Sequence, residues 1–196
     1  MRETWWRPDR FAERRERLMA RGRVLIAMRD FFAEAGFVEV DTPALQVSPG
    51  LEPHLKAFAT VLHDPTDGAA RSLYLHTSPE FAMKKLLAAG LPRIWQLAHV
   101  FRDGERSATH HPEFSMLEWY RTGAGYRDLM ADCEALLRRA QTAAGAEALS
   151  WQGRRADSAA YGERRDSIGG FAVDGLERRA SKRARSHRGK TGELRR

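Results

Sequence analysis

The segment running from Arg93 to Tyr120, RIWQLAHVFRDGERSATHHPEFSMLEWY, constrains the fold more than any other part of the chain. Two apolar runs, 94–102 and 113–120, flank a polar stretch. Each run has the length of a strand, so the pattern predicts an antiparallel hairpin. Its connection, residues 103–112, is long for a hairpin loop, and long loops in compact domains are often functional. Strand alternation then decides which side chains share a face. Phe114, Met116, Glu118 and Tyr120 fall on one side, with Glu113, Ser115, Leu117 and Trp119 on the other. Arg102 stands at the lip of the hairpin, facing the aromatic Phe114 on the partner strand. A guanidinium there can take a phosphate through two parallel hydrogen bonds, and the ring can stack on a base. Glu118 has apolar neighbours, so it is predicted to be either paired inside or exposed on an edge. A phenylalanine, a carboxylate and a phenol on one face suit a cationic amino acid held beside a base.

The rest of the chain reads as helices and short strands around this hairpin. Leu18, Leu25, Met28 and Phe32 recur near helical spacing, which predicts a helix over 11–35 with Gly36 as its stop signal. Phe37-Val38-Glu39-Val40 follows as a short strand, then Asp41-Thr42-Pro43. Residues 63–71 form a turn-rich loop, and Leu73–Thr77 a second strand-like run. Ser78-Pro79-Glu80 predicts a helix start: serine caps, proline is tolerated at the first position, and glutamate suits the positive end of the dipole. That helix is expected to end near Ala89, before Gly90, and another to cover 128–144.

Charge divides the chain in two. From Trp151 onward there are 13 Lys/Arg and 6 Asp/Glu, and residues 1–150 carry 20 of each, so the net +7 belongs to the tail. Residues 151–196 lack a sustained period of 2 or 3.6 and hold few large apolar side chains. Such a segment is expected to be disordered, and its composition also fits a GC-rich gene read in a shifted frame. Residues 1–150 are expected to form one domain. No apolar run nears the roughly 20 residues a membrane helix needs, and the N-terminus lacks the apolar core of a signal peptide. The single cysteine, Cys133, cannot pair within the chain and is expected to be a small buried apolar residue, which fits a reducing cytoplasmic setting. Trp5, Trp6 and Trp95 are expected to pack, and adjacent His110 and His111 point apart, so no metal site is expected.

Two stretches carry a family likeness. TSPEFAMKKLL at 77–87 and HHPEFSMLEWY at 110–120 are similar to the lysine-site helix and the end of motif 2 in lysine-specific class II aminoacyl-tRNA synthetases. The N-terminal helix, strand and Pro43 resemble motif 1 of that class, its dimer element. The likeness covers roughly residues 18–145, and its motif 1 begins within about 20 residues of Met1, so no anticodon-binding domain is expected before it. With the TSPE and MLEWYR wording, this resembles the elongation factor P–lysine ligase family.

That resemblance implies an α+β fold: an antiparallel sheet with flanking helices, the N-terminal part of a class II catalytic domain. It implies ATP and Mg²⁺, lysine or (R)-β-lysine as substrate, transfer to a lysine of elongation factor P, and a homodimer; tRNA is not an expected partner. It gives Arg102 the catalytic role of holding the α-phosphate. Asp103, Gly104, His111 and Phe114 join it on the ATP side, with Phe114 stacked on adenine. Ser78, Pro79, Glu80, Glu118 and Tyr120 are implied to meet the lysine, with Glu80 near an ammonium. Two departures stand out. Gly104 occupies the position where the pattern often has a glutamate, and Glu105 follows one residue later. No motif 3 and no late acidic Mg²⁺ ligands follow residue 150; Gly169-Gly170 has no matching arginine arrangement. The chain is therefore expected to be a truncated or frameshifted ligase, weak or inactive alone. Two other functional classes stay open: lysyl-tRNA synthesis, and a non-enzymatic remnant whose basic tail binds RNA.

Overall fold

The computed structural model describes Thr4, residues 6–151 and residues 154–156. The predicted N-terminal helix is α1, Pro8–Glu34. Proline suits its first turn, where the missing N–H costs no helical bond. The helix stops where Gly36 takes a left-handed φ of 73°. Gly36 N–H donates to the Ala33 carbonyl at 3.0 Å, and Phe37 N–H to the Phe32 carbonyl at 2.8 Å. A side chain at Gly36 would strain that turn. The same turn carries the Phe37 ring back to 5.3 Å from Phe32, edge to face, so the stop signal also makes a core contact.

Strand β1 (Val38–Glu39) leaves the turn and pairs in parallel with β5 (Arg93–Phe101), Val38 opposite Ile94. The predicted hairpin is β5 with β6 (Glu113–Arg121), antiparallel along its whole length. A second sheet has the order β2 (Leu45–Gln46), β4 (Ala70–Leu75), β3 (Ala59–His63), and both its pairings are antiparallel. A short hairpin, β7 (Leu149–Trp151) with β8 (Arg154–Ala156), straddles the expected boundary at residue 150. Helix α2 spans Glu80–Ala88 and α3 spans Tyr126–Ala144. The α+β expectation holds, with antiparallel sheets and flanking helices, and β1 adds one parallel pairing. The expected disorder or frameshift of the tail lies, from residue 157 onward, outside the described residues.

The core lies where α1 and α3 meet one face of the hairpin. Phe32 is fully buried and stacks on Trp95, ring centroids 4.5 Å apart at 11°. Phe31, Phe37 and Leu136 are buried in the same cluster, with Leu97, Leu117 and Trp119 packed against it. The α3 helix is tied to α1 by Arg23 Nε, which donates to the Ala143 carbonyl at 2.9 Å, and by the Arg139–Glu34 ion pair. It is tied to β6 by Arg121, whose Nη1 donates to both carboxylate oxygens of the buried Asp132 at 2.9 and 3.2 Å. That pair is largely desolvated, so removing either partner strands a charge.

Two packing expectations fail. Cys133 is exposed: α3 turns Asp132 and Leu136 inward, and residue 133 falls at the border of that face. Trp6 is 62% exposed just before α1, although Trp95 packs as expected. No helix among the described residues is long and apolar enough to cross a membrane.

Candidate active site

The second face of the hairpin is built by register. Val100 lies opposite Phe114, Ala98 opposite Met116, Gln96 opposite Glu118, and Ile94 opposite Tyr120. Directly opposed residues share a face, so the alternation read from the sequence places Phe114, Glu118 and Tyr120 together. Ile94, Ala98 and Val100 are buried on β5, as is Met83 of α2, which lies against that strand. The three β6 side chains stay half-buried and accessible.

Backbone bonds bring the 77–80 segment to this face. Phe101 N–H donates to the His76 carbonyl at 3.0 Å, and Arg102 Nε to the Thr77 carbonyl at 3.4 Å. The chain leaving β4 is thereby stitched to the chain leaving β5. Pro79 is fully buried at the turn. The first helical residue is Glu80, one later than expected, yet Ser78 still acts as a cap: its Oγ accepts from Glu80 N–H at 3.1 Å.

That hydroxyl has a second job. Ser78 Oγ donates to Glu118 Oε2 at 2.8 Å, and Tyr120 OH donates to Glu118 Oε1. The half-buried carboxylate is held by two neutral hydroxyls and keeps spare lone pairs for further donors. Of the alternatives open for Glu118, the paired one is realised. Burial, then the hydrogen bond to Glu118 and its charge, push the Tyr120 phenol well above its ordinary range, so it remains a donor at neutral pH.

Arg102 lies over the Phe114 ring, Cζ 5.1 Å from the centroid. Its Nη1 sits 3.7 Å from Glu105 Oε1, and both side chains are largely shielded. Glu105, the residue after the glycine, therefore reaches the arginine. The other loop residues do not converge on it. Asp103 is exposed and donates its N–H to the Lys56 carbonyl at 2.7 Å. Gly104 is exposed, with a φ of 81°. His111 is exposed and turns back on its own strand, Nδ1 2.8 Å from the Glu113 carbonyl.

Two residues near the site escaped the sequence reading. Lys84 pairs with Glu80 one helical turn away, a spacing that the sequence displays. Gln96 is buried opposite Glu118 and accepts from Thr42 Oγ1 at 2.9 Å, which only the strand register reveals. A cleft of about 540 Å³ is lined by Thr42, His76, Gln96 and His99 among others, and none of the expected site residues lines it. Among the described residues no group of three or more His, Cys, Asp or Glu gathers to hold a metal ion.

Residues 2–161 match the family of class II tRNA synthetases (D, K and N), and the chain belongs to that family. Among curated proteins it is 40% identical over 147 residues to the elongation factor P–(R)-β-lysine ligase of Pasteurella multocida, covering 75% of this chain and 45% of that protein. It is 41% identical over 147 residues to the ligase of the same name from Vibrio vulnificus, with the same coverage. Against the Vibrio cholerae ligase it is 42% identical over 135 residues, 69% of this chain and 42% of the relative. The chain thus spans somewhat less than half the length of the curated relatives it matches.

Proposed function

We propose that residues 1–150 form the nucleotide- and amine-binding part of an ATP-dependent ligase. In the complete activity, the carboxylate of lysine or (R)-β-lysine attacks the α-phosphate of ATP, releasing pyrophosphate, and the aminoacyl group then passes from the adenylate to a lysine amine of elongation factor P, releasing AMP. Arg102 holds the α-phosphate and offsets the charge that develops as the substrate carboxylate attacks. Phe114 stacks on adenine, with Asp103, Gly104 and His111 on the nucleotide side. Glu118, aided by Tyr120 and Ser78, takes the cationic end of the amino acid, and Glu80 lies near an ammonium. Pro79 fixes the turn that presents them. The protein works in the cytoplasm as a homodimer through α1, β1 and Pro43.

The observation that carries this reading is Glu118. Both its oxygens are engaged by hydroxyls that cannot neutralise it, on the same strand face as Phe114. Such a carboxylate selects an ammonium, because a neutral ligand leaves the charge unpaired. The names of the relatives support the ligase over a lysyl-tRNA synthetase. With no recognisable motif 3 in its sequence, the 196-residue chain is proposed to be weak or inactive alone.

Calorimetric titration of the chain with lysine, (R)-β-lysine and the neutral isostere norleucine tests the amine site. Norleucine is expected to bind at least about a hundredfold more weakly than the better diamine. Equal affinity for norleucine and both diamines would remove the proposal.

A further inference from the structure

Lys84 lies at the margin of the pocket that the proposed function assigns to an amine. On its own, a glutamate and a lysine one turn apart on an exposed helix contribute little. This pair is placed differently. Glu80 is anchored through its N–H to Ser78, and the same hydroxyl is bonded to Glu118. The Lys84 ammonium is engaged by the Glu80 carboxylate. Its basicity is raised first by the hydrogen bond to Glu80 and then by the charge of Glu80, with Glu118 adding to it. The phenol of Tyr120 feels Glu118 and Glu80 together. Glu80, Glu118, Tyr120 and Lys84 therefore form one electrostatic cluster spread over α2 and β6.

We infer that Lys84 is a specificity-determining residue, whose ammonium neutralises Glu80 and leaves the pocket a net single negative charge. Glu80 and Glu118 supply the two carboxylates, and Arg102 is opposed by Glu105, so neither of that second pair alters the count. Lysine as a zwitterion carries a net single positive charge and matches this pocket. Lysinamide carries two, and finds only one of them matched. Removing the Lys84 charge frees Glu80 and shifts the balance toward the dication. This inference rests on the amine-binding reading above.

The test is a calorimetric comparison of lysine and lysinamide binding to the full 196-residue chain and its variants at fixed ionic strength. In Lys84→Met the preference is expected to move about two- to fivefold toward lysinamide. Lys84→Gln, a second neutral variant, is expected to do the same, whereas Lys84→Arg stays within about twofold of the parent. Glu80→Gln, which leaves the Lys84 ammonium unopposed, is expected to move the preference the other way, toward lysine. An unmoved ratio in both neutral variants, a shift as large in Lys84→Arg, or a shift toward lysinamide in Glu80→Gln would each overturn the inference while leaving the amine site intact. A parent chain that binds neither ligand would overturn the amine-binding reading and this inference with it.

Discussion

The two faces of the β5–β6 hairpin are made by the same eighteen residues and obey opposite rules. One face presents Trp95, Leu97, Leu117 and Trp119 to α1 and α3, where Phe32 is fully enclosed. The other presents Phe114, Glu118 and Tyr120, half-buried, with a carboxylate held by neutral donors. The first face minimises free energy by excluding water from apolar surface. The second keeps a charge that packing alone would not select. A slip of one residue in register would exchange the two sets, so the apolar face also holds the polar face in place.

Breaking the packed face should have the largest effect. Phe32→Ala removes a ring that touches Phe31, Phe37, Trp95 and Trp119. It is expected to lower the unfolding free energy by about 3–5 kcal/mol in urea titration. A loss below about 1 kcal/mol would mean that the hairpin is not anchored there. Changing the polar face should cost stability less. Tyr120→Phe deletes one hydrogen bond to a carboxylate, about 1 kcal/mol. The raised phenol pKa gives a sign as well: stability from keeping that proton is full below the ordinary tyrosine pKa of about 10 and declines as pH rises past it. Melting curves from pH 8 to about 11 should fall less steeply for Tyr120→Phe than for the parent. Identical alkaline limbs would show that the phenol is not held by Glu118.

Much of this contrast was written in the sequence, because a strand's period of 2 is local. Alternation in EFSMLEWYR separated Leu117 and Trp119 from Glu118 and Tyr120 before any pairing was known. The helix stop at Gly36 was equally legible, since its backbone requirement belongs to one residue. What escaped depends on contacts between distant segments. The parallel placement of β1 on β5 joins residues more than fifty positions apart. The enclosure of Gln96 needs Thr42, and the pairing of Glu105 with Arg102 needs the loop's actual path. Cys133 was misjudged because composition says that cysteines tend to be buried, whereas the orientation of α3 is set by Asp132 and Leu136. Lys84 stood four residues from Glu80 in plain view, but its relevance depends on Ser78 joining Glu80 to Glu118 across two elements.

The account turns on the polar face receiving a nucleotide between Arg102 and Phe114. Titration of ATP into the parent chain and into Arg102→Ala, with thermal melts of both, measures this directly. The account predicts that nucleotide affinity falls at least about tenfold in Arg102→Ala while the melting temperature stays nearly constant, because Arg102 makes a long bond to Thr77, a loose pair with Glu105 and a stack on the half-buried Phe114 ring, each of small worth. Equal affinity in the two proteins would contradict it.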